Sequence, residues 1–131
     1  MQGPFFHGST PTRAARIRRD GFRATPETFL TDDPALAGDY GNEVITVALQ
    51  DVPALELHTN DGPLLAQLEA IGLPFVAAGG YLSHRAIQAL RDRGYQALIV
   101  SYPADTSDPS DPAPARRIAR VLDHTLVQPI A

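Results

Sequence analysis

Thr28-Phe29-Leu30-Thr31-Asp32-Asp33-Pro34-Ala35-Leu36-Ala37-Gly38-Asp39-Tyr40-Gly41, with Glu43-Val44-Ile45-Thr46-Val47-Ala48-Leu49 just behind it, decides how this chain folds. Thr28 to Thr31 reads as a short strand. Asp32 or Asp33 is placed to cap a helix with Pro34 in its first turn, because a carboxylate there accepts from the open N–H groups of the turn and proline loses nothing by lacking one. That helix is expected to run to about Tyr40 and stop at Gly41. Glu43 to Leu49 is β-branched and apolar, the cleanest strand in the sequence.

Similar punctuation extends outward in both directions. Pro4 to His7 reads as a strand, and Ser9 or Thr10 caps a helix that begins near Pro11 and ends at Gly21. Downstream, Ala54 to Leu57 suggests a strand. Asp61-Gly62-Pro63 opens a helix carrying Leu64, Leu65, Leu68 and Ile71, closed by Gly72. Pro74 to Gly80 reads as a loop of glycine and small residues. Ser83 caps a helix to Arg93, with Ile87 and Leu90 inward and Gly94 as its stop. Gln96 to Ser101 reads as a buried strand, Tyr102 to Pro114 as an exposed proline-rich loop, and Arg117 to Leu122 and Leu126 to Ile130 as two closing strands. Strands and helices mix without strict βαβ alternation, which predicts an α+β domain with an antiparallel or split sheet.

The chain has 131 residues, the length of one domain, so residues 1–131 are expected to share a single core. It has no cysteine, which excludes thiol nucleophiles, disulfides and cysteine metal sites. Eleven arginines stand with no lysine, which excludes Schiff-base chemistry, and the net charge of −4 disfavours general binding to DNA. His7, His58, His84 and His124 lack the short spacings of a metal site, so no metal is expected. No apolar run approaches the roughly 20 residues of a membrane span. Nor does the N-terminal stretch resemble a signal peptide, so a cytoplasmic protein without a membrane partner is expected, with signal-independent export left open.

Three local patterns carry chemistry. His7-Gly8-Ser9-Thr10 ends a strand before a helix; glycine admits close backbone approach and the imidazole can bond a hydroxyl. Phe29 and Tyr40 bracket the strand–helix unit, where two rings can sandwich a flat ligand, or else serve as core and helix anchor. Arg13, Arg16 and Arg19, with Arg116, Arg117 and Arg120, form two basic sets suited to phosphate or to plain solvated faces.

In order, the first two patterns resemble the ADP-ribosyltransferase superfamily, in the branch of poly(ADP-ribose) polymerases and diphtheria toxin. Phe6-His7-Gly8-Ser9 is similar to that branch's first motif, and Phe29-Leu30-Thr31-Asp32 through Tyr40 to its second. Gly94 to Val100 and Val121-Leu122-Asp123 are similar to later segments of small bacterial members. The resemblance implies a split sheet with short helices around a central cleft for NAD. The activity implied is transfer of ADP-ribose from NAD, as co-substrate, to an unknown acceptor with release of nicotinamide. That acceptor is a protein, a nucleic-acid end, a small molecule or water, and a toxin, an NAD glycohydrolase and a phosphate-directed transferase all fall within the family. It implies that His7 bonds a ribose hydroxyl, that Gly8 holds the carboxamide through its backbone, and that Tyr40 stacks on nicotinamide. Phe29 takes the first aromatic position, and Ser9 and Thr31 join the cofactor site. Two positions depart from the pattern. Ala37 stands where many members have serine, and Arg116-Arg117-Ile118 stands where a late strand opens with the catalytic glutamate. The departure leaves a non-catalytic module for NAD, ADP-ribose or a nucleotide end as the alternative. It also makes Arg117 the side chain expected to face the cleft as the catalytic substitute.

Overall fold

Along Glu43–Leu49 burial alternates, with Ile45, Val47 and Leu49 inside, as expected of a strand with one face on the core. In the computed structural model, which describes residues 2–23, 28–73 and 83–130, this is β3 of seven strands. The others are β1 (Gln2–Ser9), β2 (Thr28–Thr31), β4 (Ala54–His58), β5 (Ala97–Tyr102), β6 (Arg116–Val121) and β7 (Val127–Pro129). Among the described residues four α-helices join them: α1 (Pro11–Asp20), α2 (Pro34–Gly38), α3 (Leu64–Ala70) and α4 (His84–Asp92). The result is a small mixed α/β domain of the α+β kind, and none of its helices among the described residues is long and apolar enough to cross a membrane.

The strands form one sheet in the order β4-β5-β6-β2-β1-β3-β7. Only β4 and β5 run parallel; every other neighbouring pair is antiparallel. The middle of the sheet is its weakest seam. β1 and β2 meet at a single register pair, Phe6 opposite Thr31, whereas β1 follows β3 from Phe5 to Ser9 and β2 follows β6 along its whole length. Side chains hold the seam together. Phe5 and Val47 from one half pack with Leu30, Ala119 and Val121 from the other, beneath Ala14 and Ile17 of α1. A second cluster gathers Leu68, Ile87 and Leu90 of α3 and α4 against Leu98 and Val100.

Local expectations from sequence meet the structure closely at the caps. Thr10, Asp33 and Ser83 each accept a backbone N–H of the helix they start. Gly21 and Gly94 lie just past helix ends at φ 81° and 84°, a region that favours glycine. Helix α2 is shorter than expected. Asp39 and Tyr40 donate to Leu36 and Ala37, three residues back, so the last turn tightens and the chain leaves the helix before Tyr40. In α3, Leu68 is buried but Leu65 is exposed, since Leu65 lies off the stripe that Leu64 and Leu68 share four residues apart. The last expected strand starts late. Asp123 accepts from the Thr125 N–H and hydroxyl, which folds His124–Leu126 into a 3₁₀ turn ahead of β7. The loop expected at Pro74 to Gly80 lies outside the described residues.

Two glycines let α2 lie directly on the end of β1. A Cβ on Gly8 would overlap the Ala37 carbonyl oxygen and come within 2.8 Å of its carbon; a Cβ on Gly41 would fall 2.6 Å from the Ser9 nitrogen. Both obstacles are backbone, which has little freedom to yield. Gly8→Ala is therefore expected to destabilise the domain by about 1–3 kcal/mol, the range for overpacking a closed contact. Urea unfolding followed by circular dichroism measures this, and Gly38→Ala, whose Cβ would meet nothing closer than a Val44 methyl at 4.0 Å, provides the comparison.

Candidate functional site

A cleft of about 570 Å³ opens at the end of the β1–β2 seam. The end of β1 lines it with His7, Gly8, Ser9 and Thr10; α1 and its exit add Arg13, Arg16, Phe22 and Arg23; Thr28, Phe29 and Tyr40 close the far side. The strand registers explain how these side chains meet. Phe6 and Thr31 are directly opposite and share a face, so Gly8 and Phe29, two residues away on each strand, share it as well. On that face α2 covers Gly8 and delivers Tyr40 against Phe29, with ring centroids 4.8 Å apart and planes tilted by 48°. His7 alternates to the α1 face, where its ring meets Phe22 edge-on at 5.1 Å.

His7 ties the two sides together. Its Nδ1 lies 2.9 Å from the Phe29 carbonyl oxygen. A carbonyl only accepts, so Nδ1 carries the hydrogen and Nε2 of the neutral ring is left as an acceptor. A side chain thus satisfies the Phe29 carbonyl at a point where β1 and β2 no longer pair.

The structure brings His7, Gly8, Ser9, Phe29 and Tyr40 to one cleft, and leaves two other expected residues out of it. Thr31 is fully buried; its hydroxyl donates to the Arg117 carbonyl at 2.9 Å and accepts from the Asp33 N–H at 3.1 Å. It holds β2 to β6 and fixes the entry to α2. Arg117 does not face the cleft. Its Nε donates to Asp32 at 3.2 Å, the same carboxylate accepts its N–H at 2.7 Å, and its guanidinium lies over Phe5 at 5.2 Å. Arg116 alternates to the other face and pairs with Asp33 at 3.6 Å. The acidic residues after β2 draw both arginines at the start of β6.

Two expectations about the rings and the glycine also change. Phe29 and Tyr40 touch each other, while a flat ligand held between them needs centroids about 7 Å apart, two van der Waals gaps. Tyr40 is 59% exposed, so its ring has room to turn outward and the outer face of the pair is open. The space beside Gly8 that a side chain would fill is taken by Ala37, so protein packing, not a ligand, requires the glycine.

Sequence reading passed over Phe22, Arg23 and the reach of Arg120, whose guanidinium lies 5.6 Å from the Phe29 ring centre. Phe22 and Arg23 follow the helix stop at Gly21, and that adjacency to a turn was their signal. Among the described residues no aspartate or glutamate lines the cleft. The nearby Asp20 carboxyl is held below its ordinary range, first by its hydrogen bond to Arg19 and also by the charges of Arg19, Arg16 and Arg23. Among the described residues no cluster of histidine and carboxylate side chains is arranged to hold a metal ion.

Comparison of the chain with protein-family models, with curated proteins and with solved structures finds no match. The geometry of the cleft therefore carries the functional reading by itself.

Arg117→Ala separates the two roles considered for this residue. A part-exposed ion pair contributes about 1 kcal/mol or less, so the variant is expected to be slightly less stable by thermal melting. Ligand affinity at the cleft, measured by calorimetry, is expected to stay at the wild-type value.

Proposed function

We propose that the cleft binds NAD and that the protein is an ADP-ribosyltransferase-like enzyme, moving ADP-ribose from NAD to an acceptor and releasing nicotinamide. The observation that supports this best is the convergence of His7, Phe29 and Tyr40 on one cleft, with the His7 ring oriented by the Phe29 carbonyl. In this reading nicotinamide stacks on Tyr40 and Phe29. His7 Nε2 accepts a hydrogen bond from a ribose hydroxyl, and the Gly8 backbone holds the carboxamide. The glycosidic C–N bond breaks with its electron pair leaving on nicotinamide, and the anomeric carbon becomes electron-poor. The acceptor's lone pair forms the new bond; a neutral acceptor then loses a proton, whereas an anionic one has none to lose. Positioning and electrostatics supply most of the acceleration in a step of this kind.

One observation favours a second reading. Among the described residues no carboxylate lines the cleft to offset the charge that develops on the sugar. A module that binds NAD or ADP-ribose without turnover fits that feature directly.

Tyr40→Ala tests the shared premise. Loss of a stacking partner is expected to weaken NAD binding by on the order of 1 kcal/mol or more. Tyr102→Ala, which alters a side chain packed on the second core cluster, is expected to leave affinity unchanged. Equal NAD affinities for the two variants by calorimetry sink the site. Release of free nicotinamide from labelled NAD then separates the enzyme from the binder.

A further inference from the structure

Five of the eleven arginines are held by partners well away from the cleft lining: Arg18 by Glu43, Arg19 by Asp20, Arg116 by Asp33, Arg117 by Asp32, and Arg91 by the Leu122 carbonyl. Arg13, Arg16 and Arg23 differ. All three line the cleft, and none has a hydrogen-bonded or ion-paired side-chain partner among the described residues. The carboxylate that senses Arg16 and Arg23, Asp20, has its oxygens bonded to Arg19.

This arrangement is unfavourable for the protein alone. Arg13 and Arg16 are three residues apart on α1, where like charges face each other and repel. Arg13 also sits in the first turn, the end of a helix at which a cation is disfavoured. The chain as a whole is acidic, at −4, yet among the described residues its cleft is lined by three arginines and no carboxylate. A bound anion removes all three conflicts. The cations come from α1 and its exit, the stacked rings from β2 and the exit of α2, and His7 stands in the same cleft. A flat ring at one end and anionic charge at the other is the layout of a nucleotide.

We propose that Arg13, Arg16 and Arg23 form a subsite for phosphate, taking the pyrophosphate of a nucleotide whose flat ring lies at Phe29 and Tyr40. The assignment rests on the dinucleotide reading of the cleft and deepens it by naming the groups that hold the phosphates. Guanidinium forks suit this task because each presents paired donors to two phosphate oxygens.

Calorimetry with ADP, inorganic pyrophosphate and NAD tests the subsite. All three ligands are expected to bind wild type at low salt and to weaken as ionic strength rises. Arg13→Gln, Arg16→Gln and Arg23→Gln are each expected to weaken all three by about tenfold, the scale of one lost charged hydrogen bond. Arg19→Gln, on the same helix but outside the cleft, is expected to change none of them. Circular dichroism checks that the variants remain folded. Unchanged binding in the three cleft variants overturns the subsite, as does an equal loss in Arg19→Gln, which reports net charge only. If NAD binds in a Tyr40-dependent way that ignores the arginines, the subsite fails and the NAD reading stands. If ADP and pyrophosphate bind through the arginines while NAD does not bind, the NAD reading fails and the phosphate subsite stands. Failure of all three ligands to bind overturns both.

Discussion

The backbone contact between α2 and the end of β1 is the constraint on which the cleft depends. It exists because Gly8 and Gly41 present no side chain where the Ala37 carbonyl and the Ser9 backbone lie. With α2 seated there, the tightened turn at its end brings Tyr40 onto Phe29. A longer helix, or a side chain at either glycine, moves the tyrosine away from β2. The placement of an exposed aromatic ring is thus set by two glycines through backbone packing.

On the other face a single hydrogen bond does comparable work. The His7 to Phe29 bond fixes the tautomer of the imidazole and bridges a point where the sheet has stopped pairing. The charges around the cleft follow a consistent division. Asp32 and Asp33 hold the arginines at the start of β6, whereas Arg13, Arg16 and Arg23 of α1 and its exit line the cleft. Acidic groups after β2 therefore have a structural task, and the charged side chains that line the cleft among the described residues are arginines.

Much of this was legible in the residues, and the reasons are local. Caps at Thr10, Asp33 and Ser83, glycine stops at Gly21 and Gly94, and the β-branched run of β3 all act within a few positions. Strand β2 also matches its expected span, Thr28–Thr31. The misses are non-local. Arg117 was expected in the cleft because alternation along a strand offers two faces, but its choice of face depends on Asp32, far away in the chain. Thr31 has the composition of a ligand-binding residue and the position of a strand clamp, a distinction that only the β2–β6 register reveals. The reason for Gly8 was likewise hidden, since nothing in a short motif announces that a helix will lie across it.

The single register pair at the middle of the sheet has a consequence for how the molecule breathes. Strands bound by a full ladder separate only when the domain unfolds, but one pair with a side-chain bridge opens locally at a smaller free energy. The buried cluster of Phe5, Leu30, Val47 and Val121 spans the same seam and keeps the halves together through such openings. The sheet is therefore two laddered panels joined along one seam chiefly by side chains, with the cleft at the end of that line.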